Sequence, residues 1–334
     1  NRFGIEAYDR NRIVFADDPD RYINASYVRE GAGGRWWVAA EAPSKEAVHA
    51  FLSLFLPPED SLYPSARIHT IVQLSPQGEG SSHPPEPYFP PTLSHAYTIH
   101  AERGSTLPPL QVQTIKQKRI SKANCTKTTF VISRPTRRSQ LRETESFEVV
   151  HLLFESWPAK SVPNSDGLRA LIHLIHLIYP LNTRPQQRHS HGHDDGHYKP
   201  KPKKLPHTDP PILVHCSEGG RTGTFIAINS LLRAQKCIPS PYDDIHTAPR
   251  IPPSPLGPPP SEIAADPVLR EIDHIRDQRA AMIDNEAQVL SPLILFTTYL
   301  THVHHPWVFS KRVVAHFRSA SYTKCSGTVL LNGI

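Results

Sequence analysis

The stretch from Pro211 to Leu232 constrains the fold of this chain more than any other. Pro211-Ile212-Leu213-Val214-His215 is an apolar run too short for a helix, and it predicts a buried strand. Cys216-Ser217-Glu218-Gly219-Gly220-Arg221-Thr222-Gly223 follows at once, rich in glycine and small polar residues. From Thr224 onward the apolar residues Phe225, Ile228, Leu231 and Leu232 recur at helical spacing. The segment therefore predicts strand, tight turn, helix. A turn of this composition at a helix N-terminus aims several backbone N–H groups at one anion, and the helix dipole adds to the attraction. A cysteine held there has its thiolate stabilised and becomes a nucleophile near neutral pH. Arg221 adds a planar fork that binds two phosphate oxygens at once. Together they describe a cysteine nucleophile inside a phosphate cradle; the plainer reading of the same residues is a buried thiol beside a helix-capping turn.

His215-Cys216-Ser217 followed by Gly220-Arg221-Thr222-Gly223 resembles the signature of the protein-tyrosine phosphatases. The resemblance implies that Cys216 attacks phosphorus and Arg221 holds the phosphate oxygens. Thr222 would assist departure of the cysteine, with Ser217, Glu218, Gly219 and Gly220 lining the cradle. It implies a fold as well: an α/β domain with a highly twisted mixed sheet flanked by helices. No cofactor and no metal enter that chemistry, and the implied partners are phosphotyrosine-containing proteins. One count departs from the pattern, because the family places five residues between Cys and Arg and this chain has four, Ser217 to Gly220. Losing one residue from a loop of converging amides removes a donor, rotates Arg221, or both.

Other segments resemble the family in the same order along the chain. Asn1-Arg2-Phe3 places Phe3 where the family has the aromatic wall of a deep phosphotyrosine slot. Glu6 is the nearest acid to the position that holds the substrate backbone. Tyr22-Ile23-Asn24-Ala25-Ser26-Tyr27-Val28 alternates like a strand, and Tyr88-Phe89-Pro90 resembles a Tyr-Trp-Pro segment. Trp36 to Pro43 predicts a strand leading into a helix with Ser44 as N-cap and Val48, Phe51, Leu52 and Phe55 on one face. Phe154 to Pro163 resembles the mobile Trp-Pro-Asp loop whose Asp protonates the leaving tyrosine oxygen, but Ala159 stands in its place. Glu155 and Asp166 are the nearest acids, one on each side of that loop. Arg276 to Gln288 resembles the Arg-x-Gln-Arg-Pro-Gly-Met-Val-Gln-Thr loop, whose two glutamines orient the hydrolytic water. Gln288 matches the second of these, and Asp284 replaces the first with a carboxylate of the same sign as phosphate.

Between these segments, Ile68 to Leu74 predicts a central strand, and Thr128–Ile132 and Phe147–Phe154 predict antiparallel partners. Leu168 to Leu181 predicts a buried helix, and helical periodicity returns at Asp266 to Ile275. The 35 prolines concentrate in two inserts, about 183–211 and 238–262, within a single domain spanning 1–305, with an irregular tail at 306–334. The first insert carries the tract His189 to His197, read as a flexible insert or a metal-binding run; the second carries Ile251 to Pro260, read as an extended linker or a ligand for a Pro-reading module.

Net charge +6 suits acidic phosphoprotein partners, while the absence of aromatic-interleaved basic repeats argues against nucleic acid. Arg169, His173 and His176 interrupt the apolar run after Leu168, so no membrane span is expected. Four dispersed cysteines without ligand or disulfide spacing, and the lack of a signal-peptide pattern, predict a cytoplasmic setting. The shortened cradle, Ala159 and Asp284 together predict a degenerate phosphatase whose residual role is phosphotyrosine or protein binding. Weak or normal catalysis and a scaffold without phosphate affinity are the other readings.

Overall fold

The computed structural model describes residues 6–15, 18–57, 67–75, 87–93, 95–135, 144–159, 161–183, 209–217, 219–241 and 251–289. Phe3, Glu218, the histidine tract and the tail from 306 lie outside them. Eight strands form one sheet: β1 (Ala25–Arg29), β2 (Trp36–Glu41), β3 (Thr70–Gln73), β4 (Ala96–Ile99), β5 (Leu110–Ile120), β6 (Cys125–Pro135), β7 (Thr144–Phe154) and β8 (Ile212–Cys216). Their spatial order is β1-β2-β8-β3-β7-β6-β5-β4. The four central strands, β2, β8, β3 and β7, run parallel, and antiparallel pairs extend the sheet on both sides. This is the mixed α/β architecture expected from the sequence.

The apolar run before Cys216 is explained by its place in this sheet. β8 lies between β2 and β3 and all five of its residues are buried, so both faces must be apolar or internally paired. Ile212, Val214 and Cys216 face a core shared with α2 (Ser165–Asn182), α3 (Gly220–Ala234) and α5 (Pro267–Gln278). Leu213 faces the other core, built on α1 (Val48–Ser53), Phe55 and Phe130. Alternation along the strand thus sends Cys216 and His215 to opposite sides. Among the described residues no helix is long and apolar enough to cross a membrane.

Local expectations held where packing alone decided them. Leu168, Leu171, Ile172, Leu174 and Ile175 of α2 are buried, and Asn164 caps the helix by accepting from the Gly167 N–H at 2.9 Å. Asp266 caps α5 through the N–H groups of Val268 and Leu269. Val48, Phe51, Leu52 and Phe55 are buried as expected, but Ser44 is not their side-chain cap. A 3-10 turn, Lys45–Ala47, intervenes; the Ser44 carbonyl accepts from Ala47 N–H at 3.0 Å, and its hydroxyl turns to the Glu46 carboxylate. The short edge strand β4, half-exposed along its length, had no sequence signal strong enough to announce it.

The proline run 251–260 is bent rather than uniformly extended. Leu256 N–H donates to Ser254 Oγ at 3.1 Å, and Gly257 has φ of 77°. Ser254 Oγ donates to Asp277 Oδ1 at 2.6 Å and so fastens the bend to α5.

Candidate active site

The turn after β8 is shorter than its composition suggested, because α3 begins at Gly220 and takes Arg221 and Thr222 into its first turn. Gly219 makes this possible with φ of 83°, a conformation that side chains disfavour. A Cβ at Gly219 would lie 3.1 Å from the Ala281 carbonyl oxygen, so the position also lacks space. Around the buried Cys216 Sγ, Gly219 N–H and Thr222 Oγ1–H both donate at 3.1 Å. Both donors meet one sulfur at the start of α3.

Arg221 is buried and its fork is engaged. Nη1 donates to the Trp157 carbonyl oxygen at 2.6 Å and Nη2 to Ser217 Oγ at 2.7 Å. The Trp157 segment is thereby drawn onto the cradle, and Trp157 Nε1 donates to Ser161 O at 2.9 Å across the loop that contains Ala159. Neither neighbouring acid is brought in. Glu155 pairs with Arg119 at 2.6 Å on an exposed part of the sheet, and Asp166 pairs with Arg169 on the exposed first turn of α2.

On the glycine side, the segment that follows α5 closes against the turn. A Cβ on Gly220 would overlap Gln288 Oε1 and approach Asp284 Cβ to 3.0 Å; one on Gly223 would lie 2.7 Å from Met282 Cβ. Asp284 N–H donates to Gln288 Oε1 at 2.8 Å, which fixes the glutamine at the cradle. Asp284 itself is exposed there. Ala281, at the family's glycine position, and Ile283 hold φ of 56° and 62°, conformations that cost side-chain-bearing residues stability.

Four residues of this corner were not singled out from the sequence. Glu41 is the register partner of Cys216 across β2 and β8. Asn24 Nδ2 donates to Glu41 Oε2 at 2.7 Å, and the buried Arg279 donates to Asn24 Oδ1 and Ser26 Oγ, both at 2.9 Å. Burial pulls the Arg279 pKa down, while Glu41, Tyr22 and Cys216 push it back up. Tyr22 is raised, first by burial, and Glu6 adds to that shift. The hints in the sequence were the polar alternation of Asn24 and Ser26 and the Gln-Arg pair of the segment that contains Arg279.

His215 lies on the far face of β8. Its Nε2 shares a 3.0 Å hydrogen bond with Tyr88 Oη, and burial lowers its pKa to about 3, so the ring is neutral at physiological pH. It packs against Phe51 and Tyr88, on the side of β8 away from the sulfur.

A family model described as protein-tyrosine phosphatase matches residues 1–248. The chain is 27% identical over 238 residues to receptor-type tyrosine-protein phosphatase eta of Gallus gallus, covering 70% of this chain and 13% of that protein. It is 30% identical over 227 residues to tyrosine-protein phosphatase non-receptor type 23 of Mus musculus, covering 66% of this chain and 10% of that protein. It thus spans a small part of the length of both relatives. The Trypanosoma cruzi protein tyrosine phosphatase TcPTP1 shares the fold at a TM-score of 0.59 and 17% identity, over 90% of this chain and 80% of that one. With Cys216, Arg221 and Thr222 gathered on one turn and the family model spanning most of the chain, this protein belongs to the protein-tyrosine phosphatase family.

Proposed function

We propose that this domain binds phosphotyrosine-containing proteins through the Cys216 cradle and that its turnover is impaired. The observation that carries the reading is the pair of donors on Cys216 Sγ together with a methyl group, Ala159, where the leaving-group acid belongs. In the reaction open to this site, Sγ bonds to phosphorus as the bond from phosphorus to the tyrosine oxygen breaks. Arg221 and the turn's N–H groups take up the developing charge. The departing oxide then needs a proton, and Ala159 has none to give. Hydrolysis of the cysteinyl phosphate would follow, with Thr222 Oγ–H easing departure of sulfur and Gln288 at the cradle beside the water's path.

Binding without any turnover is the second reading, favoured by the geometry of Arg221. Two of its nitrogens are committed to Trp157 O and Ser217 Oγ within a loop one residue short of the family's. We assign residues 1–305 to one domain, because Gln278, beyond the family match, bonds both the N–H of Arg29 (2.7 Å) and its carbonyl (2.8 Å) on β1. A cytoplasmic setting belongs to the same reading, since neither Cys125 nor Cys216 is in a disulfide. A Pro-reading partner would have to accept the bend at Ser254–Gly257.

The test is turnover of an aryl phosphate and of a phosphotyrosyl peptide by the natural chain, Cys216→Ser and Ala159→Asp. Slow turnover that vanishes in Cys216→Ser and rises about a hundredfold in Ala159→Asp is expected, the gain a positioned acid supplies. Tight peptide binding with no turnover in either the natural chain or Ala159→Asp would select the second reading. No affinity for the phosphopeptide would refute both.

A further inference from the structure

The β5–β6 hairpin ends in positive charge that the cradle chemistry does not use. Lys118 and Lys127 are directly opposed in the antiparallel register, and like charges opposed across a sheet cost stability. The period of two puts Lys116 on the same face. Lys122 sits in the 3-10 turn, Ser121–Ala123, that joins the strands. Lys116, Lys118 and Lys122 are exposed, and among the described residues none of the three is in an ion pair. Glu155, at the end of β7, is committed to Arg119 at 2.6 Å.

The same hairpin end is tied to the active site. Asn124, at its left-handed corner (φ 41°), donates to Ser156 Oγ, and Arg119 donates to Asn124 Oδ1. Ser156 precedes Trp157, whose carbonyl oxygen accepts from Arg221. The charge therefore stands beside the loop that rests on the cradle.

We propose that Lys116, Lys118, Lys122 and Lys127 form a docking surface for an acidic stretch of the phosphotyrosyl protein held in the cradle, an inference that rests on the phosphotyrosine reading above. One exposed ion pair contributes little, but a patch of one sign produces a local field that raises association rate and selects partners by charge. Its contribution must fade as salt rises.

Fluorescence anisotropy with Cys216→Ser protein tests this, using a phosphotyrosyl peptide flanked by Asp and Glu and its counterpart flanked by Asn and Gln. At low salt the acidic peptide should bind about tenfold more tightly. Lys118→Gln/Lys122→Gln should erase that preference without changing affinity for the neutral phosphopeptide or the melting midpoint. Equal affinities at the outset, or a preference that survives the double variant, would overturn the surface. So would lysine-dependent binding to phosphatidylserine vesicles with no acidic-peptide preference, which would assign the patch to a membrane. An unphosphorylated acidic peptide separates the two proposals. Lysine-dependent binding of that peptide, with no gain on phosphorylation, would refute the phosphotyrosine reading while supporting the docking surface.

Discussion

Gly219 does two jobs that no other residue combines at its position. It turns the chain at φ 83°, and its N–H reaches Cys216 Sγ. Gly34 offers a control, with φ of 77° and nothing within 4 Å of the point a Cβ would occupy. Both Gly219→Ala and Gly34→Ala should lose about 1–2 kcal/mol of stability from the left-handed backbone. Only Gly219→Ala should also slow alkylation of Cys216 by iodoacetamide, because the clash with Ala281 O moves the N–H away from sulfur. Equal alkylation rates in the two variants would remove Gly219 from the nucleophile's support. Ala159 belongs to the same scale, a methyl side chain with no proton to donate.

The central strands carry their own pH sensitivity. His151 on β7 and His215 on β8 are pushed down to about 3 and His69, just before β3, to about 4, each first by burial. Their rings stay neutral in the fold, while in the unfolded chain they take up protons near pH 6.5. Stability from these groups is therefore complete above the unfolded value and is lost as pH falls from it toward the folded values. Urea unfolding should show a declining midpoint over that window, by up to about 1.4 kcal/mol per pH unit for each ring, with a shallower decline in His151→Gln. A midpoint flat across that window would contradict the burial of these rings. The strand periodicity of these segments was legible in the sequence, but which histidine faces a core depends on register. Val150 pairs with Thr70 and Leu213 with Ile71 only once β3 lies between β7 and β8.

At the scale of the whole molecule, α3 is held at both ends, by the cradle at its start and by a buried ion pair at its finish. Arg233 Nε donates to Glu30 Oε2 at 2.9 Å and Trp37 Nε1 to Glu30 Oε1 at 2.8 Å, with both charged side chains almost wholly buried. Glu30→Ala would strand a guanidinium in the interior and should cost about 3–5 kcal/mol in chemical denaturation, whereas a loss under about 1 kcal/mol would show that the pair does not hold the helix end. The strand, turn and helix around Cys216, the α/β class and the family were readable from the sequence, because they rest on periodicity and on residues adjacent in the chain. So was the identity of Ala159, which needs no fold to be read. The clamp of Arg279 on Asn24 and Ser26 and the seating of Gln288 and Asp284 against Gly220 were decided only by the tertiary structure. Arg279 and Ser26 are 253 residues apart, and no local pattern states which distant chains a sheet will bring to the end of β8.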